Sequence, residues 1–148
     1  MSTELINSRK DFSGGEIEII AENKNLEEVL SFVNSQLENS ACSFKELTQI
    51  NLAVEEIFVN ISNYAYSPET GKARVRVELT EEPVTVLITF IDNGKPYDPL
   101  KAEDPDITLP VGKRQIGGLG VFLVKKTMDH VKYEYKDGCN ILTLRKNL

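Results

Sequence analysis

The chain has 148 residues and a formal net charge of -6, enough length for one domain with its own core and without disulfide or metal staples. Its acidic balance, with a sequence pI near 4.9, argues against nucleic acid as a direct partner, because phosphate backbones call for clustered Lys and Arg. Cys42 and Cys139 form neither a CxxC pair nor a metal-ligand cluster. Glu4, Arg9, Lys10 and Asp11 interrupt any signal-peptide core, and no segment approaches a membrane span. The expectation is a cytoplasmic protein in which residues 1–148 form one unit and residues 1–15 are a flexible N-terminus or an edge strand.

Glu16 to Ala21 places Ile17 and Ile19 on one face, as in a half-buried strand. Asn25 is a candidate N-cap for a first helix through Leu26, Val29, Leu30, Val33 and Leu37. Ser43 and Glu46 have the spacing of a capping box. The helix they open carries Leu47, Ile50, Val54, Ile57, Phe58 and Ile61 on its apolar stripe and runs to about Tyr66, before Pro68 and Gly71 stop it. From Lys72 the pattern turns to strand: Ala73, Val75, Val77 and Leu79 alternate with charges, a turn falls at Glu81-Glu82-Pro83, and Val84 to Ile91 is a more buried strand.

Residues 93–117 have no periodicity and contain Pro96, Pro99, Pro105 and Pro110. A loop that long inside a compact domain is uncommon and suits a lid. Gly118 to Asp129 returns to helical spacing, and a closing hairpin follows around Asp137-Gly138. The order predicts an α+β fold, three helices on one face of a mixed, mostly antiparallel sheet.

Three short motifs carry chemistry. Glu56 and Asn60 lie one helical turn apart, so a carboxylate and an amide can converge on one ligand, orienting a nucleophile and completing the shell of a hard cation such as Mg²⁺. Asp92 closes the buried strand before Asn93 and Gly94. Its carboxylate suits the exocyclic amine of a base, and Gly94 allows close backbone approach; the alternative is a plain turn that ends a strand. Gly117, Gly118 and Gly120 precede a helix whose amides would favour phosphate oxygens, or they form a lid hinge. Glu55 lies about 100° around the helix from Glu56 and reads as surface. His130 reads as a junction residue, and Tyr97 and Phe122 as packing residues, with Tyr97 at the lid root having the alternative of covering a base.

The ordered set Glu56-x-x-x-Asn60, Asp92-x-Gly94 and Gly118-x-Gly120 at the end of a proline-rich lid resembles the GHKL, or Bergerat-fold, ATPases from about residue 25 to the C-terminus. Within that superfamily, the stretches Asn51 to Asn60, Asp92 to Pro99 and Gly118 to Val124 look like the motifs of the small RsbW-like anti-sigma serine kinases. The resemblance implies a Bergerat-type two-layer sandwich with an ATP lid, and ATP and Mg²⁺ as cofactors. It implies Glu56 as the general base or orienting carboxylate, Asn60 as the metal ligand and Asp92 as the adenine acceptor. Gly94, Arg114, Gly118, Leu119 and Gly120 would complete the nucleotide site.

The chain also departs from that family. Tyr64-Ala65 stands where relatives often carry His-Gly or His-Ala. Asn140 follows Gly138-Cys139 where many members place a Thr that bridges the Asp and the adenine. Lys113 and Arg114 lie further upstream of the second glycine box than the family's basic residue.

The function implied is an ATP-dependent serine/threonine protein kinase acting as an anti-sigma factor. Its partners would be a sigma factor and a STAS-domain antagonist that it phosphorylates, with a homodimer left open. The alternative is a non-catalytic ATP-binding module that sequesters a regulatory partner.

Overall fold

The computed structural model describes residues 12–81, 84–101 and 119–148. The strands are β1 (Phe12–Ile20), β2 (Lys72–Glu81), β3 (Val84–Asp92), β4 (His130–Lys136) and β5 (Cys139–Asn147), and the helices are α1 (Leu26–Leu37), α2 (Phe44–Asn60) and α3 (Leu119–Thr127). The sheet has the order β1-β2-β3-β5-β4. Every pairing in it is antiparallel, with no parallel pair among the described strands. The helices cover one face, which gives the two-layer α+β arrangement expected from the order of elements.

β3 is the centre of the sheet, and its composition suits that place. Val86, Ile88 and Phe90 face the helices, while Thr85, Thr89 and Ile91 on the other face are buried too. A strand flanked on both sides has few exposed positions, hence its near-continuous run of β-branched and aromatic residues. Phe58 of α2 and Phe90 of β3 are both fully buried in the core, each contributing on the order of 1.5–3 kcal/mol of apolar burial.

α1 buries Val29, Val33 and Leu37, one turn apart, and α2 buries Ile50, Ala53, Val54, Ile57 and Phe58. The α2 capping box is present in both directions: Glu46 N–H donates to Ser43 Oγ, and Ser43 N–H donates to Glu46 Oε1 at 2.9 Å. A reciprocal amide pair, Asn34 with Asn51 at 3.0 Å each way, fixes the register of α1 against α2. Asn25 occupies the position before α1 but makes no capping bond with its side chain. Its amide instead donates to the Ile20 carbonyl at 2.8 Å, tying the end of β1 to a short 3-10 turn at Asn23–Asn25.

Two boundaries lie elsewhere than the hydrophobic pattern put them, and the first shapes the site. α2 ends at Asn60, and its last stretch, Ile61–Ala65, is a turn of π-helix. β1 begins at Phe12, so part of residues 1–15 is an edge strand. Gly14, at φ 150°, makes this extension fit, since a Cβ there would collide with the Val77 carbonyl of β2. No helix among the described residues is long and apolar enough to cross a membrane.

Candidate functional site

Asp92 is the last residue of β3 and sits opposite Ala73 of β2 and Asn140 of β5. The residue is 4 % exposed. One oxygen, Oδ1, accepts from the Gly94 N–H at 2.9 Å and from Asn140 Nδ2 at 2.9 Å. Burial holds the carboxyl above the usual range, and those two donors offset only part of the rise. A buried carboxylate that keeps its charge needs donors. Here the strand pairing itself supplies one of them.

Asn140 uses both ends of its amide. Nδ2 donates to Asp92 Oδ1 and to the Lys95 carbonyl, while Oδ1 accepts from the Tyr97 N–H at 3.1 Å and from the Tyr133 hydroxyl. Two acceptors on one side and two donors on the other fix the orientation of the amide. Asn140, which stands near where many relatives place the bridging Thr, thus contacts Asp92. Tyr133 escaped sequence reasoning. A usable signal was the hairpin register, which pairs Tyr133 with Leu142 and Tyr135 with Asn140, and so puts Tyr133 diagonally across from Asn140 on the same face.

Above this floor lies a cavity between the end of α2 and the ends of β3 and β5. Ile57, Ile61, Ala65, Phe90 and Leu142 give it apolar walls, and Asn60, Asp92, Lys95 and Asn140 give it polar points. Small-molecule sites commonly combine such walls with a few convergent polar groups. The π turn helps to build it, since Ile61 and Ala65 are buried there while Tyr64 lines the cavity at 60 % exposure. Tyr97 lines the same cavity and is 54 % exposed there, which suits the alternative reading of a residue that covers the base more than a packing role.

Gly94 lets the loop after β3 close on the π turn that follows α2. The Lys95 N–H reaches the Ala65 carbonyl at 2.9 Å, and a Cβ on Gly94 would run into Ala65 backbone atoms. Asn93 and Tyr66 brace the same corner, with the Asn93 N–H donating to the Tyr66 hydroxyl at 2.8 Å.

Glu56 and Asn60 do not open onto the same hollow. Asn60 lines the Asp92 cavity, whereas Glu56 lines a cleft between α2 and α3 together with Gln49, Leu52, Gly120 and Leu123. The Glu56 carboxylate lies against the Gly120 Cα, in the space a Cβ would need. Burial and, after it, the neighbouring Glu55 raise its pKa above the usual carboxylate range. Glu55 itself is exposed, as read.

Leu119 is the first residue of α3 and Gly120 the second. Arg114 and Gly118, with Lys113, Gly117 and most of the expected lid, lie outside the described residues. His130 is exposed at the start of β4. Among the described residues no cluster of three or more His, Cys, Asp or Glu side chains is placed to hold a metal.

Comparison with known proteins bears on this arrangement. The model of the histidine kinase-like ATPase domain matches residues 19–146. The chain is 32% identical over 95 residues to a serine/threonine-protein kinase, BtrW, of Bordetella bronchiseptica, covering 64% of this chain and 66% of that protein. It is 30% identical over 106 residues to the serine-protein kinase RsbW of Listeria innocua, covering 68% and 66%. The matched region thus spans just under two thirds of the length of either relative. A crystal structure of the RsbU and RsbW domains of Rv1364c from Mycobacterium tuberculosis shares the fold, with a TM-score of 0.62 and 14% identity over 90% of this chain and 32% of that one.

Proposed function

Since the chain belongs to the histidine kinase-like ATPase family, we propose that it is an ATP-dependent serine/threonine protein kinase of the anti-sigma type. Its phosphate acceptor is a seryl hydroxyl on a STAS-domain antagonist, and its other partner is a sigma factor. The observation that carries this reading is the buried Asp92 carboxylate at the floor of an apolar cavity, with one oxygen tied to Gly94 and Asn140. Such an acceptor suits the exocyclic amine of adenine. The resemblance to the BtrW and RsbW kinases supports the transfer chemistry.

In this reading the base lies against Ile61, Ala65, Phe90 and Leu142, and the phosphates run along α2 toward its N-terminal side. Asn60 and Glu56 are separated by about 6 Å of helix axis, one turn, so the amide meets the phosphates before the carboxylate does. Asn60 is half-buried on the cavity wall. No hydrogen bond to its side chain occurs among the described residues. A lone amide oxygen fits a cation that takes most of its ligands from phosphate and water, so Asn60 would hold Mg²⁺, which supplies charge neutralisation on the phosphates. Glu56, made more basic by its burial, orients the seryl hydroxyl. The seryl oxygen attacks the γ-phosphorus, its proton passes to Glu56, and ADP leaves.

A second reading, an ATP-binding module that sequesters a partner without chemistry, draws on one observation. Glu56 rests against Gly120 in a cleft of its own. Incubation with radiolabelled Mg²⁺-ATP and the STAS proteins of the same genome separates the two. Label on a seryl residue of one STAS protein is the expected result, and nucleotide-dependent binding to a sigma factor with no labelling would favour the module.

A further inference from the structure

The base-binding corner contains a residue whose polar atoms are all spent on the protein. Asn140 makes four hydrogen bonds, donating to Asp92 Oδ1 and the Lys95 carbonyl and accepting from the Tyr97 N–H and the Tyr133 hydroxyl. An amide has two donors and two acceptor sites, so none remains for a ligand. Asn140 therefore cannot read a base by direct contact, although it sits beside the residue that can.

Its effect falls on Asp92 instead. The Gly94 N–H and Asn140 Nδ2 both fall on Oδ1. Oδ2 carries no hydrogen bond among the described residues, yet no buried side-chain oxygen among them lacks a partner. Oδ2 is thus the oxygen that opens to the cavity Asp92 lines. A half-turn of the carboxylate only exchanges two equivalent oxygens, whereas any other rotation would take the acceptor away from both donors at a buried position, which is costly. The direction in which Asp92 points is set by how firmly Asn140 is held, and the only side chain that holds Asn140 Oδ1 among the described residues is Tyr133.

We propose that Tyr133 is a positioning residue for nucleobase selection: through Asn140 it locks Asp92 so that a single acceptor oxygen faces the cavity, making the site selective for a purine with an exocyclic amine. The proposal rests on the ATP reading above and deepens it. Tyr133 contributes from β4, at the edge of the sheet, while the acceptor ends β3 at its centre. The relay thus spans three strands. Tyr133 also lines the cavity, and Tyr133→Phe removes only its hydroxyl.

The test compares equilibrium binding of Mg²⁺-ATP with that of Mg²⁺-purine riboside triphosphate, which has the same ring without the 6-amino group. Wild type is expected to prefer ATP by at least about tenfold, because a site built around a hydrogen bond rejects the analogue that lacks it. Tyr133→Phe is expected to cut that ratio by about threefold or more, the scale of one hydrogen bond. Tyr135→Phe, on the same strand but without that bond, should leave the ratio unchanged.

A merely structural tyrosine would weaken both ligands by the same factor and keep the ratio, and that result overturns the proposal. An equal change in Tyr135→Phe overturns it too. If Tyr133→Phe does not fold, Asn140→Leu replaces it with the same expected loss of ratio. Wild type that binds both nucleotides equally sinks the relay and the pairing of Asp92 with the amine while leaving nucleotide binding itself standing, whereas wild type that binds neither sinks both.

Discussion

Asp92 and Asn140 face each other across the β3–β5 ladder, and the Asn140 amide donates to Asp92 Oδ1 at 2.9 Å. The bond joins residues 48 positions apart and makes the backbone register of the sheet part of the candidate base site. A slip of one residue would send Asn140 to the opposite face. The same pairing decides which chemical change at Asp92 is informative.

Asp92→Asn is expected to invert the sense of the site. The Gly94 N–H and Asn140 Nδ2 both need an acceptor, so the new amide must keep its oxygen there and turn its nitrogen into the cavity. An acceptor becomes a donor with little change of shape. ATP should then lose its stabilising effect on thermal unfolding, which for the wild type amounts to about 2.7 kcal/mol at 100 times the dissociation constant. Inosine triphosphate, with a carbonyl in place of the amine, should lose less. Differential scanning fluorimetry with both nucleotides reads this out, and an ATP shift as large as that of wild type removes Asp92 from the base site.

The pH dependence of stability and of ATP binding should run in opposite directions. The folded-state pKa of Asp92 is raised by burial. Its contribution to stability is therefore fully present below the unfolded pKa and lost as pH rises through the folded one. Glu56, raised by burial and by Glu55, has the same sign. On the proposed reading ATP needs the ionised acceptor, so its affinity should rise over the window in which the stability of the nucleotide-free protein falls, from about pH 4 upward. Urea midpoints and ATP titrations measure the two curves, with the amine-free analogue as reference for titration of the phosphates. Should the wild-type and Asp92→Asn midpoints run parallel through that window, burial is not shifting Asp92.

Much of this arrangement can be read from local pattern. The stripe of α1, the Ser43–Glu46 capping box, the buried run of β3 and the Asp137-Gly138 turn each rest on interactions within a few residues. The turn residues both take positive φ, as a two-residue hairpin loop requires. What local pattern misses is of two kinds. The π turn at Ile61–Ala65 has the same apolar residues as a continued α-helix would, so periodicity carried the helix on to Tyr66. The Tyr133–Asn140–Asp92 chain and the separation of Glu56 from Asn60 depend on which elements pack together. Helical spacing places those last two on the same face, and α3 packs over Glu56 and not over the cavity that Asn60 lines.

Gly94→Ala should destabilise the protein by about 1–3 kcal/mol through overpacking. The added methyl meets the carbonyl oxygen, carbonyl carbon and Cβ of Ala65, and the first two are backbone that cannot swing aside. The bond from the Lys95 N–H to the Ala65 carbonyl would stretch with it. Chemical denaturation would show a lower midpoint, and an unchanged one would mean that the loop after β3 can retreat from α2 without cost.

Gly120→Ala offers the contrasting case. Its methyl meets the carboxylate of Glu56, the far end of a flexible side chain, so Glu56 can move away. Alanine in place of glycine also favours the helix by up to about 1 kcal/mol. The melting temperature should hold or rise while Glu56 is displaced from α3. If Glu56 works from its present place, phosphoryl transfer should fall with ATP affinity little changed. A rate equal to wild type would show that the contact with Gly120 is not the working position of Glu56.

Glu56→Gln then asks whether the carboxylate is needed at all. The amide keeps the size of the side chain and loses the ability to take the seryl proton. Transfer to a STAS substrate should drop by roughly 10² to 10⁴ if general-base help contributes to the rate. ATP affinity should hold, because Glu56 lies outside the cavity that contains Asp92 and Asn60. Loss of its charge removes a group that burial disfavours in ionised form, so stability at neutral pH should not fall. The variant would remain bound to its partner in the ATP state, since the event that ends that state no longer occurs. Equal labelling of a STAS partner by wild type and variant would exclude Glu56 as the base and move the search to residues beyond the described part of the chain.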